Sequence, residues 1–329
     1  MFRITSRSIG VAVLMAVAPV VLIAACSGSD DTSDPDASSD AAGSTVTVDH
    51  RFGSTTLEGT PERIVSLDNQ WTDVLTALDG PLVGAALDPV IEGGRYPWQD
   101  LPESVEDIPI TDSIPYEAVA ALRPDLIVIT WGAKQQGDYD RLSQIAPTIP
   151  LLGDEEVDAW QDITTVAGTV LDDEDGAQQL IDDTEAQATQ LAADLPGLEG
   201  TTFALANYVP GDGIYVVADP DDGSVALFQQ LGMEIDPDLV AIADGASGRA
   251  ELSLERVDEL DADALFLLTN GADPAEIPGY DLLPAVQNGA VAILDVASAT
   301  ALNTPTPLSL PWVIDEIRPT LEAAASPAG

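Results

Sequence analysis

EDGAQQLIDDTEAQATQLAADL, residues Glu174–Leu195, decides how the rest of the chain is read. Its apolar positions Ala177, Leu180, Ile181, Ala188, Leu191 and Leu195, together with Thr184, recur at three- and four-residue steps. Asp182, Asp183, Glu185 and Asp194 fall between them. The spacing predicts one long amphipathic helix. Acidic residues crowd its N-terminus, where the helix dipole favours them, and Pro196 and Gly197 stop it. On either side of this helix the chain carries two versions of one unit, YEAVAALRPDLIVIT at Tyr116–Thr130 and LERVDELDADALFLLT at Leu254–Thr269. Each places a Glu, Glu117 or Glu255, in a short predicted helix, and an Asp eight residues later, Asp125 or Asp263, directly before an apolar strand that ends in Thr.

Outward from these units, short apolar runs alternate with helical periodicity. Before the central helix the strands are predicted at Ile64–Leu67, Leu82–Leu87, Leu126–Thr130 and Thr148–Leu152, and helices near Trp71–Leu78, Tyr139–Ile145 and Trp160–Leu171. After it come strands at Phe203–Ala206, Ile214–Val217 and Val291–Leu294, and helices at Ser224–Leu231 and Trp312–Leu321. This alternation implies βα units around mainly parallel sheets, an α/β fold. A hairpin is expected around Phe52 and Gly53, and Asp88–Pro109 is a long irregular connection of the kind that serves a purpose.

The first 25 residues read as a leader. Arg3 and Arg7 precede an apolar run to Ile23 of about 15 residues, short of the roughly 20 that span a membrane. Ile23, Ala24 and Ala25 before Cys26 resemble the lipobox of bacterial lipoproteins, which makes Cys26 the expected acylation site. Cys26 is the only Cys, so no disulfide or thiolate cluster is expected. Residues 26–45 are rich in Ser, Asp, Gly and Ala and read as a disordered tether about 25 Å across. The expected location is outside the cytoplasmic membrane, held by lipid to its outer face.

All 57 acidic residues follow Cys26, against nine of the 11 basic ones, a net charge of about −48. Such a surface repels nucleic acid and anionic lipid, and the excess reads as a solubility adaptation. With one His, His50, and the Cys committed to lipid, a Ser-His-Asp triad or a His-rich metal site is not expected. The composition therefore points to a protein that binds and does not catalyse, with no cofactor and no resident metal.

Pro61–Leu67 (PERIVSL), the two repeat units and Thr304–Ile314 (TPTPLSLPWVI) resemble the solute-binding lipoproteins of ABC importers for ferric siderophores and cobalamin. The resemblance runs from Val46 to Leu321. It implies two α/β lobes, residues 46–173 and 196–329, joined by the single helix 174–195, with ligand held in the cleft between them. It also implies a monomer that delivers an iron chelate to a membrane permease and its ATPase. Cobalamin or heme is the alternative ligand, and a scavenging lipoprotein without a transporter is the other alternative. In such a family a surface Glu on each lobe meets Arg residues of the permease, and the matching positions are Glu117 and Glu255.

A cleft for a chelate wants aromatic faces and a few charges on loops at strand ends. Trp71, Arg95, Tyr96, Trp98, Trp131, Tyr208 and Arg249 are the candidates. Arg95 and Arg249 stand out because loop arginines are scarce in so acidic a chain, and a guanidinium meets chelate oxygens through a rigid fork of donors. Lys134 beside Trp131 is a weaker candidate, and Trp160 and Trp312 are expected to pack against helices.

Overall fold

The computed structural model describes residues 45–110, 113–130, 135–154, 157–243 and 248–326. The leader, Cys26, most of the tether, Trp131 and Lys134 lie outside the described residues. The hairpin forms as expected, β1 (Thr45–His50) against β2 (Gly53–Glu58), with Gly53 at φ +127° in its turn. His50 is buried there: its Nε2 lies 3.0 Å from Thr55 Oγ1, and its Nδ1 accepts from the Phe52 N–H at 3.2 Å. Burial lowers its pKa, and it serves the hairpin.

The first sheet follows from short apolar strands buried on both faces, the signature of parallel pairing. In chain order the elements are β3 (Ile64–Ser66), α1 (Asn69–Ala77), β4 (Leu82–Leu87), β5 (Glu106–Pro109), α2 (Tyr116–Ala121), β6 (Leu126–Val128), α3 (Gln136–Leu142), β7 (Thr148–Ile149) and α4 (Trp160–Leu171). The strand order is β5-β4-β3-β6-β7, every pair parallel. The order reverses between β3 and β6, where open α/β sheets form a crevice beyond the strand ends. Asp68 sits at that point, fully buried, accepting from the N–H of Trp71 as the cap of α1 and from the N–H of Thr130 after β6.

α5 (Glu174–Asp194) follows with the predicted bounds to within one residue. Asp172, left-handed at φ 59°, ends α4, and the Asp173 carboxylate caps α5 by accepting from Gly176 N–H at 3.1 Å. Ala177, Ile181, Thr184, Ala188 and Leu191 face inward while the acidic positions face solvent. α4 and α5 approach closely, because a Cβ at Gly168 would run into Ala177 Cβ.

Beyond α5 lie β8 (Thr202–Val209), β9 (Gly213–Val217), α6 (Ala226–Gln230), β10 (Glu234–Ile235), α7 (Pro237–Ile242), β11 (Arg249–Leu252), β12 (Ala264–Leu268), α8 (Pro284–Gln287), β13 (Val291–Leu294), α9 (Val296–Asn303) and α10 (Ser309–Ala325). The order is β11-β9-β8-β12-β13, with β10 also on β8. β10, β12 and β13 run parallel with β8, but β9 runs antiparallel to both of its neighbours, β8 and β11, so this sheet is mixed. Its core centres on Phe228, whose ring lies 4.4 Å from Phe203 and 4.6 Å from Phe266. The repeated Asp does the same job in both halves. Asp125 accepts from the N–H groups of Glu62 and Arg63 before β3, and Asp263 accepts from the N–H of Thr202 opening β8. Each carboxylate pins the strand that its own following strand pairs with.

Candidate functional site

Two of the expected cleft residues belong instead to a seam between the halves. α1 carries Asp73 into a fully buried position, where it accepts from Trp98 Nε1 at 2.7 Å, Gln99 Nε2 at 2.6 Å and Thr306 Oγ1 at 2.7 Å. The first two donors come from the long connection before β5, the third from the segment before α10 in the second half. Burial raises the Asp73 carboxyl to about 6, and the three donors hold it down against that rise. Asp68 is likewise pushed up to about 6 by burial. Asn69 Nδ2 donates to Thr304 Oγ1 at 3.3 Å beside this network.

Trp98 is sandwiched in the seam, stacked on Tyr96 at 4.7 Å and tilted against Trp312 at 5.0 Å. Tyr96 is buried and its hydroxyl donates to Asp88, so burial and that carboxylate raise its pKa. Arg95 donates to the carbonyls of Ala86 at 3.1 Å and Ala85 at 3.2 Å and pairs with Asp107, which commits its fork to the ends of β4 and β5. Trp71 is fully buried in the first core, with no hydrogen-bond partner for its indole N–H among the described residues. Tyr208 is buried in the second core. Among the described residues, the aromatic candidates Trp71, Tyr96, Trp98 and Tyr208 are thus consumed by packing, because a large apolar ring near a strand end gains more from the adjacent core than from water.

A cavity of about 1150 Å³ opens between the halves, with α5 as its floor at Thr184, Glu185 and Ala188. One wall is the start of α4 and the loop before it, including Val157, Asp158, Trp160 and Asp162. The opposite wall is Asp219, Asp221, Asp222, Gly223 and α6, closed by Arg249 and by Leu302–Pro305. Ligand sites commonly occupy about 300–1,000 Å³, so this space admits a large chelate. Of the expected residues, Arg249 lines it, 3.1 Å from Asp222 Oδ2. Asp222 is held in turn by Ser224, whose N–H and hydroxyl both donate to it. Asp158 accepts from the N–H groups of Leu152 and Gly153, while burial raises its pKa. Trp160, expected only to pack, forms part of the wall. Its signal in the sequence was its place at the first turn of a helix that follows a strand-end loop.

Among the described residues no three His, Cys, Asp or Glu side chains gather as a metal site, and no helix is long and apolar enough to cross a membrane. Glu117 is exposed in the first turn of α2. Glu255 is exposed too, but in a turn before the single 3-10 turn Val257–Glu259, so the second repeat lacks the expected α-helix.

The sequence that builds the two sheets and the helix between them matches a family. A sequence model described as periplasmic binding protein covers residues 64–297. The chain belongs to that family. Periplasmic binding proteins similar to it include the probable siderophore-binding lipoprotein YfiY of Bacillus subtilis, 28% identical over 265 residues and covering 78% of each chain. The Fe(3+) dicitrate-binding periplasmic protein FecB of Escherichia coli is 31% identical over 167 residues, 48% of this chain and 52% of its own. Among solved structures, a periplasmic solute binding protein of Mycobacterium smegmatis superposes with a TM-score of 0.72 at 25% identity, covering 86% of this chain and 99% of its own. PiaA of Streptococcus pneumoniae, solved with ferrichrome, shares the fold at a TM-score of 0.68 and 23% identity, covering 86% and 99%.

Proposed function

We propose that this periplasmic binding protein captures a ferric siderophore in the cavity between its two halves and delivers it to an ABC permease. The observation that carries this reading is the 1150 Å³ cavity walled by both halves and floored by α5, in a chain whose relatives are named for iron chelates. The two sheet-bearing halves act as lobes, α5 is their rigid link, and the protein works as a monomer. Cys26 carries the lipid that holds it to the outer face of the cytoplasmic membrane, and the tether lifts it clear. Glu117 and Glu255 each offer an exposed carboxylate, one per lobe, to guanidinium groups on the permease, and bidentate pairing at two separated points fixes the docking angle. ATP hydrolysis by the permease's partner then drives transfer.

Trp160 in the cavity wall makes intrinsic fluorescence the direct test. Titration with ferric siderophores is expected to quench emission to saturation. Arg249→Ala weakens the binding of anionic chelates, and Trp131→Ala removes part of the signal. A flat titration with ferric hydroxamate, ferric catecholate and ferric citrate alike defeats the proposal.

A further inference from the structure

Accepting the cavity as the chelate site, its walls define the charge of the chelate. Six carboxylates line it, Asp158, Asp162, Glu185, Asp219, Asp221 and Asp222, and they come from three separate parts of the chain. Among the described residues Arg249 is the one Lys or Arg in the lining, and Asp222 already stands 3.1 Å from its guanidinium. Six negative groups against one positive leave a net of minus five around the void among the described residues.

These carboxylates keep capacity for an incoming donor. A carboxylate offers about four lone-pair sites. Glu185 uses one, for Gln161 Nε2 at 3.1 Å, and Asp219 uses one, for the Asp221 N–H at 3.0 Å. The side chains of Asp162 and Asp221 have no hydrogen-bond or ion-pair partner among the described residues. Arg95, the other arginine that could have met an anion, is held by Asp107 and two carbonyls outside the cavity.

We infer that the cavity selects ferric chelates of positive or zero net charge, such as a ferric trihydroxamate bearing a protonated amine, over anionic ferric tricatecholates and ferric citrates. The wall carboxylates receive the ammonium or the amide N–H groups of such a ligand, while Arg249 and Asp222 together present a neutral pair. With five net charges at roughly 8 Å in screened water, each unit of ligand charge shifts affinity by about fivefold.

The test compares three probes on the full chain at low and at high salt: a ferric trihydroxamate with one protonated amine, its neutral N-acetyl form, and a ferric tricatecholate with three negative charges. The expected order near 0.15 M salt is cationic tightest, neutral about fivefold weaker, and tricatecholate about a hundredfold weaker again, with a wider spread at low salt. High salt compresses the series. Asp162→Asn with Asp221→Asn lowers the cationic-to-neutral preference to about two- to threefold, with a melting curve confirming the fold. Tricatecholate binding as tight as the cationic hydroxamate, or an order indifferent to salt and to the double variant, overturns the inference while leaving iron-chelate transport standing. No binding by any of the three overturns both.

Discussion

Thr306→Val isolates the bond that ties the second half to Asp73. The substitution keeps the shape of the side chain and removes a hydroxyl that donates to the buried carboxylate at 2.7 Å and accepts the Ser309 N–H at 2.9 Å. A hydrogen bond to a charged group contributes about 1.5–3 kcal/mol, and the orphaned N–H adds about 1 kcal/mol, for a loss near 3 kcal/mol. For a chain of this size that lowers the melting temperature by about 6–10 °C. The loss must depend on pH. The Asp73 carboxyl is raised to about 6, so at pH 5 it is mostly neutral and the lost bond is an ordinary one of about 1 kcal/mol. Calorimetry at pH 7.5 and pH 5 should therefore show a smaller drop at the lower pH, by about 2–4 °C. A drop under about 2 °C at both values, or one that grows on acidification, refutes the seam as a charge-assisted tie.

Asp68 and Asp73 also set the wild-type pH response. Their folded values of about 6 exceed the ordinary 3.8, so the folded chain holds protons that the unfolded chain has released. Their contribution is fully present below about pH 4 and lost as pH rises through 6, worth about 3 kcal/mol per group, and denaturant unfolding should show stability rising from pH 7 to pH 5. Gly168→Ala forces a Cβ against Ala177 and should cost about 1–3 kcal/mol, read as a fall in melting temperature; an unchanged value denies the close α4–α5 approach. Glu117→Ala with Glu255→Ala should abolish uptake of labelled ferric siderophore by cells while binding to the purified protein persists, and uptake at the wild-type rate rejects the docking role.

Much of the fold was legible because it rests on local signals. The α5 stripe, its acidic start and its Pro-Gly stop determine that helix with no help from the rest of the molecule. Asp125 and Asp263 were visible as a repeat, and the structure supplies their reason, the N–H groups at the start of the neighbouring strand. The mixed second sheet was legible in principle, since Pro210, Gly211 and Asp212 leave a turn too short for anything but antiparallel strands between β8 and β9. The seam was not. Asp73 meets partners 25 and 233 residues away, and no periodicity reaches across such distances. The same holds for the loop aromatics: composition says that a Trp needs a surface, but only the fold says whether that surface is a core, a seam or a ligand.

The direct bonds by which Thr306 donates to Asp73 and Asn69 donates to Thr304 bear on timing. Halves tied by the protein's own side chains, along a rigid floor, have little rearranging to do when a chelate arrives. Association is then a single step whose observed rate climbs in proportion to chelate concentration without levelling off, in the ordinary range of about 10⁵–10⁷ M⁻¹s⁻¹. On the proposed transport role, affinity is carried by how long the chelate stays, so a permease must hasten its departure, and the seam is where it would have to pull.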